Sequence, residues 1–517
     1  MLYLAFIWHM HQPYYKNLLT QEAELPWVRL HGVKDYLDML QILHKYPKIQ
    51  QTFNLVPSLI EQVEDYINGT VREKYLELSF KPAAELTADE KKFILKNFFS
   101  INKERVISLF PRYMELYAKR AAHKEFSAQD YMDLQVWFNL SWIDPSFRKK
   151  TPELKKLTAK ARFYSEEDKR VVLEKQIAIL GEIIPAYKKF LSGGQIEISV
   201  NPYYHPILPL LYNTDSTKSA NPAAILPGTK FSYPADVKAQ IEEAVEFYKS
   251  RFGSAPRGMW PSEEAVSEEI LPLVMQAGIN WIVTDEAILF KSLNLNKRDT
   301  GLLYQPHRLS RREGGLNIIF RDRNLSDLIG FVYHKLKAKD AVSDFTKHLK
   351  NTAAAFKNRD ILVTVAMDGE NAWEYYANDG HDFLELLYEN LSECKFIRTT
   401  TVSEYLKKFP PKKEIPALAS GSWIFAEFGK WIGNPYKLRA WEWLAAARKE
   451  LEQVNNEEKL RSARKQIHIA EGSDWFWWYG EDPGGEFDRL FRMHLSNFYR
   501  IIEKNIPEYL NKPLTIA

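Results

Sequence analysis

The chain of 517 residues carries 70 Lys+Arg against 67 Asp+Glu, a formal net charge of +3. That near-balance argues against the basic footprint of a nucleic-acid binder and the cationic patch of a membrane-surface protein. A single cysteine, Cys394, excludes an internal disulfide and a thiolate zinc site.

The first apolar run, LYLAFI, leads straight into WHMHQPYY (residues 8–15). It is too short for a membrane span and has neither a basic start nor a small-residue cleavage site, so a soluble, cytoplasmic protein is expected. Read as a strand, it points His9 and His11 to the same side. Further short apolar runs end abruptly in polar residues: IQQTFNLVP, GQIEISVNP, RGMWPSE, INWIVTDE, LNIIFRDR, ILVTVAMDGE and KFIRTTT. Segments of helical period separate them, as in SEEAVSEEILPLVMQAG. Buried strands alternating with helices predict an α/β fold with a parallel sheet closed into a barrel. In such barrels the chemistry lies at the C-terminal strand ends, where this chain places its His, Asn, Glu and Asp. Residues from about 60 to 190 are rich in Lys, Glu and Leu and predict a helical insertion. From about 410 onward the pattern is helical again.

Four stretches stand out as site candidates. In NPYYHPILPL a strand leads into His205. In GMWPSEEAVSEEI, Glu263 follows a strand end at Trp260-Pro261; the bland alternative is a helix start, with Ser262 as cap and the acids in the first turn. In VTVAMDGENAWEYY, Asp368, Glu370 and Glu374 follow an apolar strand, and Asp368 as a helix cap is the alternative. Two strand ends each offering a carboxylate at one rim are harder to dismiss, because glycosidic-bond cleavage requires paired carboxylates across a cleft. In AEGSDWFWWYGEDPGG, Asp474 and Trp475 lead a run of aromatic residues. Gly472, Gly480, Gly484 and Gly485 mark it as an exposed loop and a stacking platform; a buried aromatic cluster is the alternative. Trp260 and Trp373 join the substrate-contact candidates.

Together HQPYY, GQIEISVNPYYHPILPL, GMWPSEE, VTVAMDGENAWEYY and SDWFWWYG resemble, in order, the five sequence regions of glycoside hydrolase family 57, across residues 11 to 480. The resemblance implies an incomplete (β/α)7 barrel over residues 1–400, containing the insertion at about 60–190. It further implies a helical C-terminal domain over 410–517 and retaining chemistry on α-glucans or maltooligosaccharides. By the same resemblance Glu263 is the nucleophile, Asp368 the acid/base, and His11 a sugar contact with His9 supporting it from below. The motif forms look closest to the α-amylase and amylopullulanase branch. The absence of a leader and of a large C-terminal extension runs against secretion and debranching. A 4-α-glucanotransferase or branching enzyme is the competing activity. No cofactor, metal, membrane or nucleic-acid partner is expected. A metal-dependent hydrolase built on His9 and His11 remains a competitor, with His205 and Asp285 as further ligands. Charge assignment follows local context: a helix dipole favours ionised Glu263, and the neighbouring Glu370 and Glu374 favour protonated Asp368.

Overall fold

The computed structural model describes residues 1–312, 314–481 and 485–514. Seven strands form one parallel series: β1 (Leu2–Met10), β2 (Gln51–Leu55), β3 (Ile196–Val200), β4 (Gly258–Met259), β5 (Trp281–Asp285), β6 (Gly314–Arg321) and β7 (Ile361–Asp368). Their lateral order is β7-β1-β2-β3-β4-β5-β6, so the chain runs round the barrel in sequence and returns beside its start. β6 and β7 share no ladder. Across that seam the Asp322 N–H donates to Thr364 O at 2.7 Å, and the Ala366 N–H to Ser326 Oγ at 3.2 Å. The result is the expected incomplete barrel of seven β/α units.

Each apolar run identified in the sequence forms a strand. β1, β2, β3 and β5 are buried along their whole length, which is why they read as continuous apolar runs and not as alternating ones. The eighth run, in KFIRTTT, forms Ile397–Thr399 and pairs with Leu2–Leu4 at the start of β1. An antiparallel strand, His307–Arg311, also pairs with β6; its polar sequence gave no signal.

Between β2 and β3 the chain folds largely into helices, the longest spanning Glu166–Ser192. Ser165 starts that helix through a reciprocal capping box with Asp168. The fully buried Arg29 ties these helices to the barrel side. It donates to both Glu73 oxygens at 2.8 Å and, through Nη1, to Asn139 and Gln176. Beyond β7 lie helices Pro435–Leu451, Glu457–Ala470, Ser473–Trp478 and Glu486–Ile501. Among the described residues no helix is long and apolar enough to cross a membrane.

Gly258 shows how tightly the barrel is filled. A Cβ there would lie 1.9 Å from Trp281 Cε2 and 2.0 Å from Cζ2. That indole cannot swing aside freely, because its Nε1 donates to Glu197 Oε1 at 3.0 Å and to Ser403 Oγ at 3.1 Å. Gly258→Ala should therefore destabilise by about 1–3 kcal/mol, the usual cost of overpacking. A thermal melt reads this as a lower Tm; an unchanged Tm would show that Trp281 yields without cost.

Candidate active site

The carboxyl ends of the strands open into a cavity of about 620 Å³, lined by His9, His11, Glu263, Asp368, Trp477 and Trp478 among others. Strand register brings several of these together. His9 at the end of β1 lies opposite Asp368 of β7 on one side and Asn54 of β2 on the other. Gly369, next in line, donates its N–H to His9 O at 2.7 Å, and a Cβ there would meet Met10 Sδ at 2.4 Å. A side chain at 369 would have to displace the Met10 thioether for the β7 end to turn this close to β1.

Glu263 does not start an α-helix. It sits in a three-residue turn, Ser262–Glu264, with φ +58°, and Glu264 follows at φ +53°. Left-handed backbone at a non-glycine residue costs on the order of 1–2 kcal/mol. Contacts around the turn over-determine it: Ser262 Oγ donates to Asn201 Oδ1 at 2.8 Å, Thr284 Oγ1 to Glu264 O at 2.6 Å, and the Trp423 N–H to Glu263 O at 3.1 Å. Ser262 therefore anchors the turn and does not cap a helix. The dipole assigned to Glu263 from sequence is absent.

Burial raises the Glu263 carboxyl well above its usual range, and the nearby Asp368 and Asp474 push it further; hydrogen bonds from Trp423 and Ser473 oppose this. Trp423 Nε1 donates to Glu263 Oε2 at 2.8 Å and Ser473 Oγ to Oε1 at 3.5 Å. Asp368 is also raised, by burial, against Asn371, His11 and Arg321. The like-charge effect expected on Asp368 acts instead on Glu370. That group lies well above its usual range through burial, then Asp368 and Asp35. Glu370 Oε1 accepts the His11 N–H at 3.1 Å, while Oε2 is buried without a partner.

Beside the acids three imidazoles form a row. His11 stacks on His205 with ring centres 3.9 Å apart, His205 on His9 at 5.0 Å, and His9 on Trp260 at 5.0 Å. Burial first, then His11, lowers His9 to about 3. Burial, then His11 and His9, takes His205 well below the usual histidine value. Both are neutral at any working pH. With Ser473 Oγ donating to Glu263, it accepts from His205 Nδ1 at 2.8 Å, so the His205 lone pair rests on Nε2, buried and unpartnered. His11 Nε2 lies 3.0 Å from Asp474 Oδ1.

His11, His205 and Asp474 each place a ligand atom within 4.8 Å of the others, so they have the donor types and spacing of a metal site. Sequence reasoning missed Asp474 as a ligand to pair with these histidines and named Asp285 instead. Asp285 caps helix Glu286–Ser292 and pairs with Arg323, away from the histidine row.

Of the residues singled out in the sequence, His11, His205, Glu263, Asp368 and Asp474 meet at the cavity, whereas three tryptophans lie beneath its surface. Trp260 is fully buried under His9. Trp373 donates Nε1 to Gly369 O at 2.7 Å and packs on Trp8. Trp475 donates Nε1 to Ile469 O at 2.8 Å and packs on His494. The segment expected as a loop is a one-turn helix, Ser473–Trp478. Helical spacing puts 474, 477 and 478 on the cavity side and 475 and 476 on the core side. Gly484 of that stretch lies outside the described residues. Trp423 and Ser473 escaped sequence reasoning; the only cue to Trp423 is the short GSW turn before it.

A family model described as glycosyl hydrolase family 57 matches residues 5–418. The chain is 27% identical over 118 residues to alpha-amylase 1 of Dictyoglomus thermophilum, covering 23% of this chain and 14% of that protein. It is 24% identical over 225 residues to the 4-alpha-glucanotransferase of Thermococcus litoralis, covering 44% and 29%. The matched stretches thus span less than a third of these relatives' length. Among solved structures it resembles in fold a branching enzyme from Pyrococcus horikoshii, with 17% identity, 98% and 93% coverage and a TM-score of 0.64. It is likewise similar to the α-amylase AmyC of Thermotoga maritima, with 14% identity, 97% and 93% coverage and a TM-score of 0.61.

The placement of the tryptophans separates packing from recognition. Trp475→Ala empties a core site and should cost about 3–5 kcal/mol, seen as early melting, with near-normal KM in the folded enzyme at low temperature. Trp478→Ala, at a residue 38% exposed on the cavity, should leave Tm nearly unchanged and raise KM. A Trp475→Ala variant of normal Tm and raised KM would reverse this division.

Proposed function

Given that the chain belongs to glycosyl hydrolase family 57, we propose that it cleaves α-glucosidic bonds of α-glucans with retention, as an α-amylase-type enzyme. The observation that carries this reading is one cavity shared by two carboxyl groups, the buried Glu263 and the half-buried Asp368, beside the Trp477–Trp478 rings. In this reading residues 1–400 are the catalytic domain, and 410–517 are a helical domain that completes the site. The action is cytoplasmic, in keeping with a chain almost without cysteine.

Glu263 attacks the anomeric carbon and forms the glycosyl-enzyme; Asp368 protonates the leaving oxygen and then takes a proton from the incoming acceptor. The fixed donors support this division. Trp423 Nε1 can only donate, so Glu263 Oε2 must accept from it, which favours the ionised form there. Among the described residues, Asp368 accepts one side-chain hydrogen bond, from the Asn371 amide at 3.2 Å. Burial raises both carboxyl groups, and Glu263 the more strongly, so the division rests on the donors and not on burial. His205 Nε2, a buried acceptor without a donor, and His11, paired with Asp474, suit sugar hydroxyls.

Transfer to a second sugar is the competing reading. A second cavity, of about 560 Å³, adjoins the first through Asp368, Tyr375, Trp423 and Trp477. It offers room for an acceptor chain on the side of the proton donor. A product profile on amylose with chelated enzyme decides. New reducing ends are expected; longer oligosaccharides without new reducing ends would assign a transferase. Loss of activity restored by zinc at an unchanged Tm, with the restoration abolished by Asp474→Asn, would move catalysis to His11, His205 and Asp474.

The roles are tested by azide rescue and by pH. Glu263→Ala should be nearly inert, with azide giving a β-glycosyl azide. Asp368→Ala should still react with an activated aryl leaving group, and azide should give the α product. Exchanged outcomes would reverse the roles. Glu263 must be ionised to attack and its carboxyl is raised, so the acid limb of kcat/KM should lie above the ordinary Glu value of about 4.3. Asp474→Asn removes a carboxylate that helps to raise Glu263, so in that variant this limb should move to lower pH. A limb that stays in place would place the titration elsewhere.

A further inference from the structure

Away from the cavity three helix starts meet in the interior. Asp38 opens helix Asp38–Leu43, Asp144 caps helix Pro145–Lys150, and His381 opens helix His381–Glu393. All three side chains are buried: the residues are 2%, 0% and 6% exposed. Each offers one ligand atom, and these atoms lie within 4.8 Å of one another. His381 Nε2 and Asp144 Oδ2 are already 2.6 Å apart. Asp38 Oδ1 is buried with no hydrogen-bond partner.

The surrounding charges do not account for Asp38. Lys34 is committed to Asp379, at 2.9 Å, and to Asp35, at 2.5 Å; His31 also pairs with Asp35, at 2.7 Å. Four carboxyl groups, of Asp35, Asp38, Asp144 and Asp379, thus crowd this region. Arg148 also acts on Asp144 and Asp379 but spends Nη1 on Leu140 O and Ser141 O, and none of these cations bonds Asp38 Oδ1. A cavity of about 260 Å³, lined by Asp38, Ser146, Asn378 and His381, gives access from solvent. Its wall also carries Lys149, Lys150 and Asp382, and Lys45, which pairs with Glu385 at 2.6 Å.

We propose that Asp38, Asp144 and His381 bind one divalent transition-metal cation, zinc by preference, as a structural staple. One imidazole with two carboxylates is a donor set that zinc accepts at about 2.0–2.2 Å, with a cavity water to complete the tetrahedron. On binding, the proton held between His381 and Asp144 leaves to solvent, and the His381 Nε2 lone pair goes to the metal. Any proton on Asp38 leaves to solvent likewise, and its carboxylate supplies the second negative charge. The ion would join the first β/α unit, the helical insertion and the segment that follows the Asp368 strand end. Nothing in this requires the catalytic reading to be correct.

The test uses the full chain, stripped with chelator and returned to one equivalent of zinc, with manganese, magnesium and calcium as comparisons. Bound metal is counted by elemental analysis and stability by thermal melts. Zinc should bind at one per chain and raise Tm by about 3 °C or more. Asp38→Asn and His381→Gln should abolish both binding and shift, whereas Asp474→Asn, which disables the cavity triad, should keep both. No binding and no shift with any of the four ions would overturn the proposal, as would a shift that survives Asp38→Asn. A shift lost in Asp474→Asn would place the ion in the cavity instead. Should His381→Gln fail to fold, Asp38→Asn decides alone.

Discussion

Two donors reach the Glu263 carboxyl, the indole N–H of Trp423 and the hydroxyl of Ser473, and both come from beyond the last barrel strand. A buried carboxyl without donors carries a penalty of about 1–3 kcal/mol or more. The barrel alone would thus present Glu263 uncompensated. The connection that carries Trp423 and the docked helix Ser473–Trp478 supply the compensation together. Ser473 bridges Glu263 to His205, the neighbouring Asp474 pairs with His11, and one turn on the aromatic rings face the cavity. Barrel and helical region are therefore two halves of a single polar network.

The same network explains why the histidines can crowd together. Two imidazolium rings with centres 3.9 Å apart would repel strongly in a buried site. Burial lowers His9 and His205 far enough that both stay neutral, and flat stacking on Trp260 then becomes a packing contact. Asn54, at 2.6 Å from His9 Nδ1, orients the innermost ring. His9 and His205 form the inner part of the wall, and His11, the outward member, faces Asp474.

Much of this was legible in the sequence because buried parallel strands leave an unmistakable trace, a short apolar run cut off by a polar residue. That trace gave the seven barrel strands and, with them, the rim positions of His11, Glu263 and Asp368. It could not give conformation at the rim. Two glutamates after Pro261 look like the acidic first turn of a helix, yet contacts from Asn201, Thr284 and Trp423 hold them left-handed. Nor could composition say which tryptophan of a run faces in. One turn of helix buries Trp475 and turns Trp477 and Trp478 outward, a choice made by packing against His494 and Phe487. Trp423 sits in a connection without periodicity, where only the folded chain shows what it touches.

The unladdered seam between β6 and β7 has its own consequence for the rim. Glu263 follows a strand paired on both sides, whereas Asp368 ends a strand laddered only to β1. Backbone on the seam side is satisfied by isolated bonds, such as Asp322 to Thr364, that can lengthen one at a time. Asp368 thus stands on eight registered pairs to one neighbour, and Glu263 on three pairs split between two. The seam is also where the second cavity opens, walled by Arg321 and Arg323 from the β6 side and by Met367 and Asp368 from the β7 side.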